Sequence, residues 1–473
     1  MTSSLPAGAG AIDFHGRVRG MRSTLLLGLL FASCQCGVPV ATGDGGANAG
    51  GTATGGGAAT GGGTTNGGGT GGGSGADLDA GLMDFCNGNA PVPVTVGGST
   101  ICSGDLGKRT FTFAFCSCQG VTANNQFRVG AISGARDGGG SIGVNGPFVG
   151  SNNTVIGGTI WASGDVTSSN NLTVGRDVVC GQNVSVATGA VGRDVVVVGN
   201  ANASGAFRVG GAVRTSQASM VSGFTSAGGV VRGTPMVAAP CDCSSPVDVG
   251  AIVTFFSGVS DNAARGVSPT ALTGTANTTL TLECGRYLFQ GITSTGITRV
   301  RTRGRVVIAI DGDVTTSNSF ELVPEAGSQV DVFIRGNLTL SNNASVGDAT
   351  RPFATRVYVG GTQVTASNSL SVSANLYAGR AAFSANNTFD MRGALFVGSL
   401  AAANSFTVNY DDAILGLDGC APSDAGCSSC RQCANPTPAC RGGSCGHCQT
   451  DADCCPPLSC EPVSGHCVEG IIQ

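Results

Sequence analysis

From Cys427 the chain reads CSSCRQCANPTPACRGGSCGHCQTDADCCPPLSCEPVSGHC, which places Cys427, Cys430, Cys433, Cys440, Cys445, Cys448, Cys454, Cys455, Cys460 and Cys467 within 41 residues. Two chemistries fit ten cysteines at this density. Pairs with two residues between them at 427/430, 430/433 and 445/448, with His447 and His466 nearby, have the spacing of tetrahedral zinc ligands. Alternatively, five disulfides would hold together a segment too poor in large apolar side chains to bury a core. The compartment decides between them, because exported thiols oxidise. The pairing itself cannot be read from spacing.

Acidic residues raise a second possibility. Sugar-cleaving enzymes need paired carboxyl groups, and Asp311-Gly312-Asp313 with Asp331 comes nearest to such a pair. One repeat later Arg335 and Asn337 fall beneath Asp311 and Asp313, which suits corner carboxylates engaged with the next coil. The chain has three histidines, His15, His447 and His466, so nothing between them supplies the base of a Ser/His/Asp or Cys/His site. The calcium phrase G-G-x-G-x-D is absent. No catalytic residue, metal or cofactor is therefore expected. The alternative reading is a carbohydrate-active β-helix enzyme, a polysaccharide lyase or glycosidase.

The N-terminus addresses the compartment. Met21-Arg22-Ser23-Thr24 leads into an apolar run from Leu25 to Phe31, and then Ala32, Ser33 and Cys34. A charged start, a short apolar stretch and small residues form an export signal, too short to span a bilayer. Residues 1–20 match no such pattern, so Met21 is the expected start, with 21–33 as signal peptide. Residues 34–82 form a Gly/Thr/Ala-rich tether that cannot bury enough apolar surface to fold. Its 42–77 stretch has a coil span of about 30–36 Å. A net charge of −4 with only 11% charged residues leaves no electrostatic footprint for nucleic acid.

What remains must fold as repeats. V-G-R-D-V starts at Val174 and Val191, V-G-G-A-V at Val209 and I-G-G-T-I at Ile156, a period of 18, 17 and 18 residues. So short a period cannot hold a helical hairpin and fits one coil of a parallel β-helix. Val174 and Val178 are expected inward. Gly175 is expected at a corner with positive φ, and Arg176 and Asp177 outward, where unlike charges of successive coils pair diagonally. Later, Gly312, Gly336, Gly361, Gly379 and Gly398 are each followed by an asparagine six or seven residues on: Asn318, Asn342, Asn368, Asn386 and Asn404. Asparagine tolerates tight corners, and its amide can bond the same residue one coil away, so these five are expected to form a ladder. The organisation is then an all-β rod: β-helix over 84–215, an irregular segment over 216–285 with a short helix in VDVGAIVTFFSGVSDNAARG, β-helix over 286–418, and the disulfide module over 420–473. Cys36, Cys86, Cys102, Cys116, Cys118, Cys180, Cys241, Cys243, Cys284 and Cys420 lie outside that module, an even number that permits full pairing.

The chain also resembles known families. L-L-F-A-S-C ending at Cys34 is similar to the bacterial lipobox, with Phe31 where Leu or Val is usual. That likeness implies a lipidated Cys34, and Gln35 after it implies the outer membrane. Residues 375–415, with Gly393-Ala394-Leu395-Phe396, Asn404 and Tyr410-Asp411, resemble the closing coils of exported bacterial β-helix proteins of the choice-of-anchor A and pilus-associated kind. The 17-residue coils resemble bactofilins, which implies self-association along the rod. The spacing C-x5-C-C-x4-C-x6-C is similar to Dickkopf-type and knottin-like modules. Together these imply a cell-surface lipoprotein with a structural or adhesive role toward a protein or glycan ligand.

Overall fold

The computed structural model describes residues 92–96, 99–132 and 140–417, positions 82, 85 and 86, and short pieces at 439–441, 444–446, 450–453, 458–461 and 466–469. Its main body is an all-β parallel solenoid of about 13 turns. Each turn contributes three short strands, so that a strand pairs with its counterpart one turn away, as Arg305–Ile310 does with Gln329–Ile334. Successive residues of a strand face opposite ways. In the VVC and VVV strands (Val178–Cys180 and Val195–Val197) the outer two residues are buried and the middle one is partly exposed. Val174, Val178, Val195 and Val197 all lie in the core.

Gly175 does not take a positive φ, which corrects the corner role expected for it. Its need is closeness. A Cβ there would stand 2.1 Å from the carbonyl oxygen of Gly157 in the neighbouring turn, and Gly192 and Gly210 are crowded alike, at 2.2 Å from the oxygens of Gly175 and Gly192. The phrase V-G-R-D-V returns because any side chain at its glycine would push the turns apart. Its charges do pair diagonally: Arg193 lies 3.8 Å from Asp177, and Arg214 lies 2.8 Å from Asp194.

Coil order does not follow chain order. The first coil, 115–131, is paired on one side with 142–156 and on the other with the last coil, 395–410. The chain thus enters mid-rod and winds to one end at 233. It then returns along the outside as a strap, 234–272, and winds back from 273 to the middle. All these pairings are parallel, so the two runs form one continuous stack. The junction is packed like any other step. Phe389, Phe406, Phe127 and Phe148 stack or meet edge-on at 4.7, 5.3 and 5.7 Å.

The irregular segment is therefore shorter than 216–285. Strands Val221–Ser226 and Val230–Gly233 complete the first run, and strands Thr273–Gly274 and Thr278–Leu282 begin the second. Within the strap lie helix α2 (Val249–Gly258) and the single turn α3 (Asn262–Arg265). Asp248 caps α2 through the amide of Ala251 at 2.9 Å, while Val249, Ile252, Val253 and Phe256 supply its buried side. Ahead of the rod, a hairpin (Pro93–Val96 with Ser99–Cys102) and helix α1 (Ser103–Thr110) also pack on it.

Strap, hairpin and helices cover one sheet of the second run. Strands there are buried on both sides, as in QVDVFI and TRVYV, and read as near-continuous apolar runs. The outward residues form a second core in which Phe256 stacks on Phe333 at 5.7 Å and Phe333 on Tyr358 at 5.1 Å. Two disulfides fasten the strap at the junction, Cys116–Cys241 and Cys118–Cys243, and Cys86–Cys284 ties the N-terminal segment to the second run. Cys102 is disulfide-bonded as well. Cys180 is a buried free thiol, so the even count does not translate into complete pairing.

Candidate functional site

The acidic candidates lie apart, Asp311 and Asp313 in the turn between strands and Asp331 within the strand Gln329–Ile334, and all are engaged with neighbouring coils. Asp313 accepts the amide of Asn337 at 2.7 Å, and Asp311 pairs with Arg335 at 3.0 Å. Asp331 lies under the cover, fully buried, and accepts two hydrogen bonds from buried Arg356 at 2.6 and 2.8 Å. Opposite charge sustains the Arg356 cation against the burial that would lower it. Beside this pair the Arg305 Nε and Nη2 and the Tyr358 hydroxyl are buried without hydrogen-bond partners, which costs free energy. Burial pushes the Tyr358 hydroxyl well above the usual phenol range and raises the Cys180 thiol to about 11.

The asparagines make a ladder, with a changed membership. The side-chain amide of Asn368 donates to the Asn342 side chain at 2.9 Å, Asn387 to Asn368 at 3.1 Å and Asn404 to Asn387 at 3.1 Å. It then crosses the junction: Asn125 donates to Asn404 at 3.2 Å and Asn152 to Asn125 at 2.7 Å. Asn386 is not a rung; it offers its backbone carbonyl to Asn404 at 2.9 Å, because the corner position falls one residue later. The Asn318 side-chain oxygen accepts from the next residue's amide at 2.9 Å. Asn342 has φ 58°, the left-handed corner that asparagine tolerates. The added rungs Asn387 and Asn125 share the signal N-x-F-x-V or M with Asn404, whereas Asn152, in N-N-T-V-I, has Thr in place of the Phe.

Two outward surfaces meet at this corner. On one side is a shallow trough of about 380 Å³ lined by Ser345, Ser369, Ser371 and Thr388, with Glu321 and Asp390 toward its ends. Glu321 takes two hydrogen bonds from Arg299, at 2.6 and 3.0 Å, which hold its carboxyl below the usual range. Glu321 and Asp390 are three turns apart in register, roughly 14 Å at the strand spacing of a sheet.

On the other side runs a row of outward residues, one from each turn. Thr273, Thr293, Thr315, Thr339 and Thr365 stack turn on turn. The row passes Ser384 and Ala401 to Thr122 across the junction. It continues through Val149, Thr167, Ser185 and Asn202 to Ser222. Every member is exposed or half-exposed, and none is charged.

Two other concavities are apolar. A cavity of about 50 Å³ inside the second run is lined by Ile308, Ile310, Val332 and Ile334 among others, far below ligand size. A cleft of about 180 Å³ lies between the hairpin, α1 and α2. The rod's ends are finished differently. At one, Asp261 and Asn262 accept the edge amides of Arg286 and Leu288 at 2.8 Å. At the other, the last strands, Val221–Ser226 and Val230–Gly233, pair on one side only among the described residues, Arg232 donates back to the carbonyls of Ser216 and Ser219, and Met220, Val230 and Val231 are exposed.

Among the described residues no three His, Cys, Asp or Glu side chains gather to hold a metal ion, and no helix is long and apolar enough to cross a membrane. Cys34 and the cysteines Cys427, Cys430, Cys433, Cys448, Cys454 and Cys455 lie outside the described residues. For Cys440, Cys445, Cys460 and Cys467 only the backbone is described, in two hairpins that set Cys440 opposite Cys445 and Cys460 opposite Cys467.

Residues 251–417 match a family model described as Domain of unknown function (DUF7305). The matched stretch runs from α2 through the second run of coils. No curated protein and no solved structure matches the chain.

Proposed function

We propose that the protein is an exported, lipid-anchored scaffold of the cell envelope. In this reading it is held at the outer membrane or cell surface through Cys34, and its rod and cysteine-rich tip present binding surfaces to a protein or glycan. The observation that carries this reading is the use of the rod's acids. Asp311, Asp313, Asp331 and Glu321 are each taken up by an arginine or a backbone amide of the neighbouring coil, whereas the uncharged outward row and corner ladder extend along the stack. Glu321 and Asp390 stand farther apart than the roughly 5–9.5 Å of glycosidase carboxyl pairs, which favours binding over hydrolysis. Disulfides at the junction support an oxidising compartment. The lipobox-like Cys34, the tether and the likeness to exported β-helix surface proteins support the location.

The test applies the full chain, in detergent, to an array of glycans and matrix proteins, with a sugar-release assay alongside. Saturable binding without product is expected. Product release abolished by Asp313→Asn would establish the carbohydrate-active enzyme instead. Cys34→Ala should abolish detergent partitioning; unchanged partitioning would remove the lipid anchor.

A further inference from the structure

We propose that the outward row from Thr273 to Ser222 is a docking surface for an ordered, neutral polyhydroxyl polymer, a solid-phase glycan without charge. This rests on the adhesive reading above and names the surface and the partner class.

Charge is the first argument. Arginine and carboxylate side chains occupy neighbouring outward rows, as in Arg299–Glu321, Arg303–Glu325 and Arg214–Asp194. The Thr273–Ser222 row has none in any turn. A nucleic acid, acidic peptide, anionic glycan or lipid headgroup would find no ionic partner there. A neutral partner loses nothing by this.

Extent is the second. The row places one hydroxyl, amide or small apolar group per turn, about 4.8 Å apart and in total roughly 58 Å long. In the threonine-rich part a serine follows two residues on, at Ser317, Ser341 and Ser367, which adds a parallel line. One exchanged hydrogen bond nets only about 0.5–1.5 kcal/mol, so a short sugar spanning one or two turns gains little. A long polymer repeats the gain at every turn, and each further contact is intramolecular. A one-dimensional repeat suits a partner that itself repeats.

Rigidity is the third. Threonine is stiff at χ1, its strands are hydrogen-bonded on both sides, and the adjoining corner is pinned by the ladder from Asn342 to Asn152. Binding therefore immobilises few groups, which lowers its entropic cost. Each threonine also offers a methyl beside its hydroxyl, matching the mixed C–H and O–H surface of a sugar. The register is kept across the junction, where Ala401 meets Thr122, so the surface belongs to the assembled rod rather than to either run.

The experiment is co-sedimentation of the full chain in detergent with crystalline chitin and with cellulose, at low and high salt, with soluble tetrasaccharides as competitors. The variants are Thr315→Glu/Thr339→Glu and the milder Thr315→Ala/Thr339→Ala, each checked for native unfolding. Retention on at least one solid is expected, insensitive to salt and not displaced by tetrasaccharide. The charged variant should lose at least about tenfold in affinity, equivalent to about 1.4 kcal/mol; if it does not fold, the alanine variant should show a smaller loss in the same direction. No retention on either solid, retention that falls with salt, or retention equal in the folded variants overturns the proposal. Binding of a protein or charged glycan that the variants leave unchanged overturns it while preserving the adhesive reading; absence of any surface ligand defeats both. Partition into growing ice that depends on the same threonines, without glycan retention, would reassign the row to ordered water.

Discussion

The two runs of coils use the same winding and differ in what covers them. In the first run, away from the junction, the sheet containing Val179, Val196 and Arg214 is partly or fully exposed, its strands are three or four residues long, and only alternate positions are buried. In the second run the same sheet lies beneath strap, hairpin and helices, its strands reach five or six residues, and nearly every position is buried. A pair of opposite charges facing outward is consequently two different objects. Arg214 with Asp194 is a surface pair, half in water. Arg356 with Asp331 is sealed, at 1% exposure on both sides. The comparison shows that stacking alone makes the rod, while covering sets the local consequence of each side chain.

The largest test of that contrast is Arg356→Ala. Leaving Asp331 buried and unpaired should cost about 3–5 kcal/mol, whereas Arg214→Ala should cost less than about 1 kcal/mol. Urea unfolding at neutral pH reads both, and similar losses would erase the distinction. Next come the rows shared by both runs. Leu338→Ala should destabilise by about 2–5 kcal/mol, and Val197→Ala by a smaller amount in the same direction, with Thr173→Ala within about 0.5 kcal/mol of wild type. A cost confined to one run would mean that the interiors are not equivalent. Smaller still is the ladder. Asn387→Ala should lose about 0.5–1.5 kcal/mol and Asn386→Ala clearly less, measured the same way; the reverse ranking would move the corner back by one residue.

The smallest effect is the acid side of the surface pairs. The Ala212 amide and then Arg214 hold the Asp194 carboxyl below its usual range. A depressed folded pKa contributes stability that is complete above the unfolded value near 3.9 and is lost as pH falls through the folded value. Asp194→Asn should therefore flatten the stability profile slightly below about pH 4 and leave it parallel to wild type near neutrality. A change confined to neutral pH would refute that cause.

Much of the coil was legible because its constraints are local. The inward valines and the placement of Arg335 and Asn337 one turn from Asp311 and Asp313 follow from residues a single period apart; the glycine of V-G-R-D-V was legible as a fixed position, but its reason is the close approach of the next turn rather than a positive φ. The ladder was offset at Asn386 because two adjacent asparagines satisfy the same pattern, and only the exact corner selects Asn387. The strap's disulfides join C-S-C at 116–118 to C-D-C at 241–243. Residues two apart on an extended segment share a face, so the matching spacing was a usable signal. Its partner choice was not, because ten cysteines outside the tip allow many pairings.

The sequence by itself determined that this chain winds into a β-solenoid, how long each coil is and which residues point inward, since a repeat must bury its own period against the next. Only the tertiary structure decided the order of the coils. Each coil offers the same parallel edge to any neighbour, so N-Q-F-R-V at 125–129 can stack on N-S-F-T-V at 404–408 as well as on the coil that follows it in the chain. The stacked phenylalanines at 127 and 406, and a strap long enough to run back along the rod, bring the beginning and end of the solenoid together in its middle.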